Sequence, residues 1–69
     1  MTKREIKAIL KELIKTEIKF KDPADKKYYL DLLKEGDLDE FFSQFEVAEI
    51  VNVEVFDTIN DLREEYEAL

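Results

Sequence analysis

The chain has 69 residues, 42% of them charged, with a net charge of −7 and neither cysteine nor histidine. That excludes disulfide scaffolds, thiol chemistry and every zinc, haem or iron–sulfur site built on those ligands. A single glycine, Gly36, excludes a glycine-rich phosphate loop, and the longest uncharged run, Phe41 to Phe45, is too short to span a bilayer or form a signal-peptide core.

Disorder is not the expected outcome. Apolar residues make up 45% of the chain, and five Phe with three Tyr supply core material that disordered acidic chains lack. The chain is read as one domain over 1–69. A domain of this size buries only about 60% of the surface its unfolded chain exposes. With no disulfide or soft-metal staple, well-packed helices or self-association must supply the stability.

The first segment, about Lys3 to Phe20, opens with Thr2 and Glu5 at capping-box spacing. Ile6, Ile9, Leu10, Leu13, Ile14 and Phe20 then fall on one broad helical face. Lys3, Lys7, Lys11, Lys15 and Lys19 recur every fourth residue, a row that drifts slowly around the helix. The second segment, about Pro23 to Glu35, starts with a capping Asp22 before a proline at the first helical position. Gly36 is expected to close it in a left-handed cap. Of Tyr28 and Tyr29, one must point away from the core.

The third segment runs from Asp37 to Leu69 with no Gly or Pro. Leu38, Phe41, Phe45, Ala48, Asn52, Val55, Ile59, Leu62, Tyr66 and Leu69 alternate spacings of three and four. That is a heptad seam with one polar member, Asn52. Asp39, Glu46, Glu54, Asp57, Asp61, Glu64 and Glu65 lie mostly on the opposite side. Capping boxes also match at Asp37/Glu40, Ser43/Glu46 and Thr58/Asp61, and not all of them can be used. The expected fold is therefore all-α: about three helices, with a long acidic C-terminal one. The alternative is α+β, with a two-stranded sheet of about 16–21 and 47–56. It rests on the β-branched residues of 47–59 and on period-two alternation in Val51–Val55 and Ile18–Lys21.

The charge is divided along the chain. Residues 1–34 hold ten basic and six acidic side chains, a net of +4; residues 35–69 hold one basic (Arg63) and twelve acidic ones, a net of −11. Such a split concerns partners or self-packing rather than fold.

Little here can carry catalysis. Ser43 has no histidine to activate it, and carboxylates need a cleft to work as acid and base. The expectation is no enzyme, with no cofactor and no metal. The acidic stretches 37–40 and 64–67 do not match a calcium loop and read as helix-start charge and a solvated face. The lysine row has three readings: a track for phosphates, a solvated face whose stems cover apolar neighbours, or a strip packed beside the acidic third segment.

Recognition remains. A helix from Asp37 to Leu69 would be about 50 Å long. Its carboxylates at 39, 46, 54, 57, 61, 64 and 65 would then imitate a phosphate backbone and occupy the basic surface of a protein partner. Phe42, Val47, Ile50 and Val53 fall outside the seam and would be exposed unless a partner covered them. Short acidic cysteine-free chains are common among small regulatory and inhibitory proteins, including those of phages and mobile elements. The leading expectation is thus a non-enzymatic inhibitory or binding protein that mimics nucleic acid. Self-association into a homodimer is assigned to Phe41, Phe45, Asn52, Val55, Ile59, Leu62 and Tyr66. The alternative is an assembly module that homodimerises through the third segment, its acids only solubilising. Direct nucleic-acid or membrane binding is not expected, and the cytoplasm is the expected compartment.

Overall fold

The computed structural model describes all residues, Met1 to Leu69. Four helices follow one another: α1 (Lys3–Thr16), α2 (Pro23–Glu35), α3 (Leu38–Phe45) and α4 (Val55–Glu67). There are no strands, so the all-α expectation holds, with four helices in place of three. α1 packs against both α2 and α4, and α2 packs against α3.

The helix starts are set largely by local chemistry. The Thr2 N–H donates to Glu5 Oε1 at 2.9 Å, and the Glu5 N–H donates to Thr2 Oγ1 at 3.2 Å, closing the expected capping box. The bond from the Thr2 backbone holds the Glu5 carboxyl below its usual pKa. Asp22 accepts from the Ala24 N–H at 3.0 Å ahead of Pro23, and Asp37 accepts from the Glu40 N–H at 2.8 Å. Lys26 reaches across from α2 to the Lys15 carbonyl at 3.3 Å, placing a cation at the C-terminal, negative end of α1. Ser43 and Thr58 lie inside α3 and α4, so their capping matches go unused.

Gly36 ends α2, but not in a left-handed conformation: its φ of −96° and ψ of −176° are extended. Close approach is what favours glycine there. A Cβ would sit 2.9 Å from the Leu32 carbonyl oxygen, the acceptor of the Gly36 N–H.

The long helix from Asp37 to Leu69 does not form. The chain leaves the helical path after Phe45 and re-enters it at Val55. A 33-residue rod of about 50 Å could not fit a molecule whose longest dimension is 32 Å. No glycine or proline makes this break; tertiary packing does. Turning back buries Ile50, Val55, Ile59 and Leu62 in the same core as α1. Four such side chains contribute roughly 6–12 kcal/mol as an upper bound. Against that stand a few helical hydrogen bonds, each worth about 1 kcal/mol net. Several are replaced: Val47 bonds Gln44, Ala48 bonds Phe45 and Val55 bonds Asn52.

The two-stranded sheet does not form either, yet its two segments do meet. Phe20 and Ile50 make one isolated antiparallel bridge. The Lys21 N–H donates to the Glu49 carbonyl at 3.1 Å, and the Val51 N–H to the Lys19 carbonyl at 2.7 Å. Asn52 extends the junction with its side chain. Its Nδ2 donates to the Glu17 carbonyl at 2.7 Å, and its Oδ1 accepts from the Lys19 N–H at 2.8 Å. The polar member of the presumed heptad seam is instead the clasp between two connecting segments, 17–22 and 46–54.

Every one of the 14 buried residues is apolar or aromatic, and no buried side-chain polar atom lacks a partner. Phe45 is the hub of an aromatic cluster, with ring centroids 5.1 Å from Tyr29, 5.4 Å from Phe41, 5.5 Å from Phe56 and 6.4 Å from Phe20. Tyr29 is the inward tyrosine, its hydroxyl donating to the Gln44 carbonyl at 3.1 Å, whereas Tyr28 is 48% exposed. Burial, with the Asp25 charge and Tyr28 adding to it, pushes the Tyr29 phenol up in pKa.

Candidate binding surfaces

The fold sorts the expected partner-binding carboxylates into groups. On α4, Val55, Ile59 and Leu62 point inward. Asp57, Asp61 and Glu64, offset from them on the helical wheel, form the outer ridge. Glu65 flanks that ridge and Glu54 stands at the helix start; all five are exposed. Glu46, on the turn after α3, is removed from the row by an ion pair with the Arg63 guanidinium, which also holds Glu67 at 3.1 Å. Asp39 belongs to a different locality. Burial and the Asp39 carboxylate raise the Tyr66 phenol, and Lys3 lies over the Tyr66 ring at 5.8 Å from its centroid.

The residues assigned to self-association are mostly internal. Phe41, Phe45, Val55, Ile59 and Leu62 are buried within one chain, Tyr66 is half-buried against the same core, and Asn52 is engaged by Glu17 and Lys19. They form the seam that the spacing indicated, but the chain folds it onto its own α1 and α2.

Of the four apolar residues outside that seam, Phe42 and Ile50 are buried. Val47 and Val53 are not: they are 79% and 62% exposed, and Val51 between them is 61% exposed. Single exposed apolar side chains are ordinary. Three β-branched ones in one connecting segment, itself pinned by Ile50 and Asn52, form an ordered apolar loop. Glu46, Glu49 and Glu54 are interspersed with them along the chain and are also exposed.

The lysine row meets a second helix. A groove of about 470 Å³ runs between α1 and α2, lined by Arg4, Lys7, Lys11 and Lys15 from one helix and Leu30, Asp31 and Lys34 from the other. Ala8 and Leu33 complete its lining. The row does not pack as a neutralising strip against the acidic segment: both ion pairs in the molecule belong to Arg63, and no basic residue of 1–34 has a carboxylate within ion-pair distance. The charge division seen along the sequence survives folding on both sides.

No helix is long and apolar enough to cross a membrane, and no group of three or more carboxylates is placed to share a cation. Searches with the chain find no matching family model, no similar curated protein and no similar solved structure.

Proposed function

We propose that the protein is a non-enzymatic binding or inhibitory protein that docks the acidic outer ridge of α4 and the neighbouring valine loop onto a basic surface of a protein partner. The observation that carries this reading is the unpaired state of Asp57, Asp61, Glu64 and Glu65, together with three exposed valines in the segment that leads into α4. Carboxylates steer the encounter and set orientation, while the valines supply the apolar burial that surface charge alone does not. The partner that fits is apolar where Val47, Val51 and Val53 dock and rich in Lys or Arg where α4 lies.

Nucleic-acid mimicry is the form of occupation that the charge spacing supports. From Asp57 to Glu64 the ridge carries three charges over about 10 Å. One strand of duplex DNA carries a charge about every 3.4 Å along the axis, so about four phosphates span the length that holds these three carboxylates. The resemblance extends over α4, about 20 Å, and not over the 50 Å of an unbroken rod. Pairing of two copies through the heptad seam has less support, because the seam residues are already packed inside one chain.

The test is quantitative capture of partners from a lysate on the immobilised protein, at low and high salt. Raising the salt from about 0.1 M to 1 M shortens the Debye length from about 10 Å to about 3 Å. Capture should fall over that range, and fall equally with the Asp57→Lys, Asp61→Lys, Glu64→Lys triple variant. No capture at either salt, or capture indifferent to both changes, would overturn electrostatic occupation.

A further inference from the structure

We infer that the α1–α2 groove is a second, independent protein-binding surface, and that its occupant is an acidic amphipathic helix of a partner protein. Three observations on that face converge. The groove holds Arg4, Lys7, Lys11, Lys15 and Lys34 against one carboxylate, Asp31. None of those cations forms an ion pair within the chain. Its apolar lining is Ala8, Leu30 and Leu33, of which the exposed Ala8 and the half-buried Leu30 offer surface to a ligand.

An apolar channel between two helices with cations on its rim matches the helix-in-groove mode of recognition. There, side chains at i, i+3, i+4 and i+7 enter the channel and the flanking polar residues meet the rim. Lys7, Lys11 and Lys15 advance about 6 Å per step along α1, and the track from Arg4 to Lys15 is about 17 Å long, three helical turns. Glutamates one turn apart on an incoming helix would keep step with them. A long polyanion fits less well. It would gain nothing from Leu30 and Leu33, and it would extend past a molecule only 32 × 25 × 20 Å in size into the field of a half-chain carrying −11. The surface is distinct from α4, so the protein would bridge a basic partner and an acidic one.

The experiment is a titration of the full ¹⁵N-labelled chain, followed by amide chemical shifts. The probe is a synthetic helical peptide of about 18 residues, with Leu at i, i+3, i+4 and i+7 and Glu on both flanks. Saturable binding tighter than about 1 mM is expected, with shifts concentrated at Arg4, Lys7, Ala8, Lys11, Leu30 and Lys34. Lys7→Glu with Lys11→Glu should weaken it at least tenfold while leaving the helical circular dichroism unchanged. Two altered peptides test the same point without touching the protein: Glu→Gln and Leu→Ser versions should each bind at least tenfold more weakly. The inference is overturned if the peptide does not saturate, if the shifts lie on α4 or the 46–54 loop, or if the Leu→Ser peptide binds equally well. It is also overturned if a short DNA duplex or anionic vesicles bind the groove more tightly than the peptide. The expected shifts and the substituted lysines lie on α1 and α2, away from the α4 carboxylates on which the proposed function rests, so failure to bind here leaves that reading standing, and the converse holds.

Discussion

Replacing Asn52 with alanine separates the observed fold from an unbroken C-terminal helix by the sign of its effect. In the structure the Asn52 amide makes two bonds, 2.7 Å to the Glu17 carbonyl and 2.8 Å from the Lys19 N–H. A hydrogen bond contributes about 0.5–1.5 kcal/mol net, so losing both costs about 1–3 kcal/mol. The site is partly open to water, which can take over some of that bonding, so about 1.5 kcal/mol is the expected loss. For a domain of this size that lowers the melting temperature by about 6–12 °C. Were residues 46–54 helical, the substitution would act the other way. Alanine exceeds asparagine in helix propensity by roughly 0.6 kcal/mol, and the melting temperature would rise by about 2–5 °C. Thermal unfolding followed at 222 nm reads the difference directly. An unchanged or raised melting temperature for Asn52→Ala would refute the clasp between the two connecting segments.

Other consequences follow from the same packing. Phe45→Ala removes the hub ring and should cost about 3–5 kcal/mol. A chain of this length has roughly 3–10 kcal/mol in total, so urea unfolding should show a largely unfolded or barely folded protein. Phe45→Leu should keep a cooperative transition. Gly36→Ala should destabilise by about 1 kcal/mol, because its Cβ meets the Leu32 carbonyl at 2.9 Å; an unchanged urea midpoint would contradict that close approach. At alkaline pH, Tyr29 and Tyr66 should ionise later than an ordinary tyrosine, since burial raises both phenols, aided by Asp25 at Tyr29 and by Asp39 at Tyr66. The folded state holds those protons more tightly than the unfolded chain, so their stabilisation is complete below about pH 10 and is lost as the pH climbs through the raised values. In a Tyr28→Phe variant, which leaves only these two phenols, absorbance at 295 nm should show tyrosinate appearing late and together with unfolding; full ionisation near pH 10 in a still-folded protein would contradict it.

The helices were legible where local chemistry decides them. Thr2 with Glu5, Asp22 with Pro23, and Asp37 each start a helix as their spacing implies, and Ile6, Leu10 and Ile14 of the first segment's apolar stripe are buried, whereas Ile9 of that stripe is 37% exposed. The break after Phe45 was only half legible: 46–54 contains no glycine or proline to force it, and only the β-branched residues behind the two-strand alternative pointed to a non-helical 47–56. What ends the helix lies far away in sequence, in the carbonyls and amides of residues 17–21 that Asn52 and its neighbours meet. A heptad seam and a seam folded back on itself present the same spacing, so Val55, Ile59 and Leu62 read as an interface while being core. The period-two alternation at Ile18–Lys21 and Val51–Val55 did carry the pairing of these segments, although one bridge rather than a sheet results. At the candidate surfaces, the carboxylates of α4 were legible from helical spacing alone. The groove was only half legible: the lysine row is in the sequence, but its partner wall of Leu30, Asp31 and Lys34 is a product of how α2 docks.

The central claim, that the outer ridge of α4 is the contact surface for a basic partner, is tested most directly by zero-length carboxyl-to-amine cross-linking of the captured complex, followed by peptide mapping. Cross-links from Asp57, Asp61 and Glu64 to lysines of the partner are expected. Cross-links confined to Asp39, Glu40 or other carboxylates remote from α4, or formed only through this chain's own lysines, would contradict it.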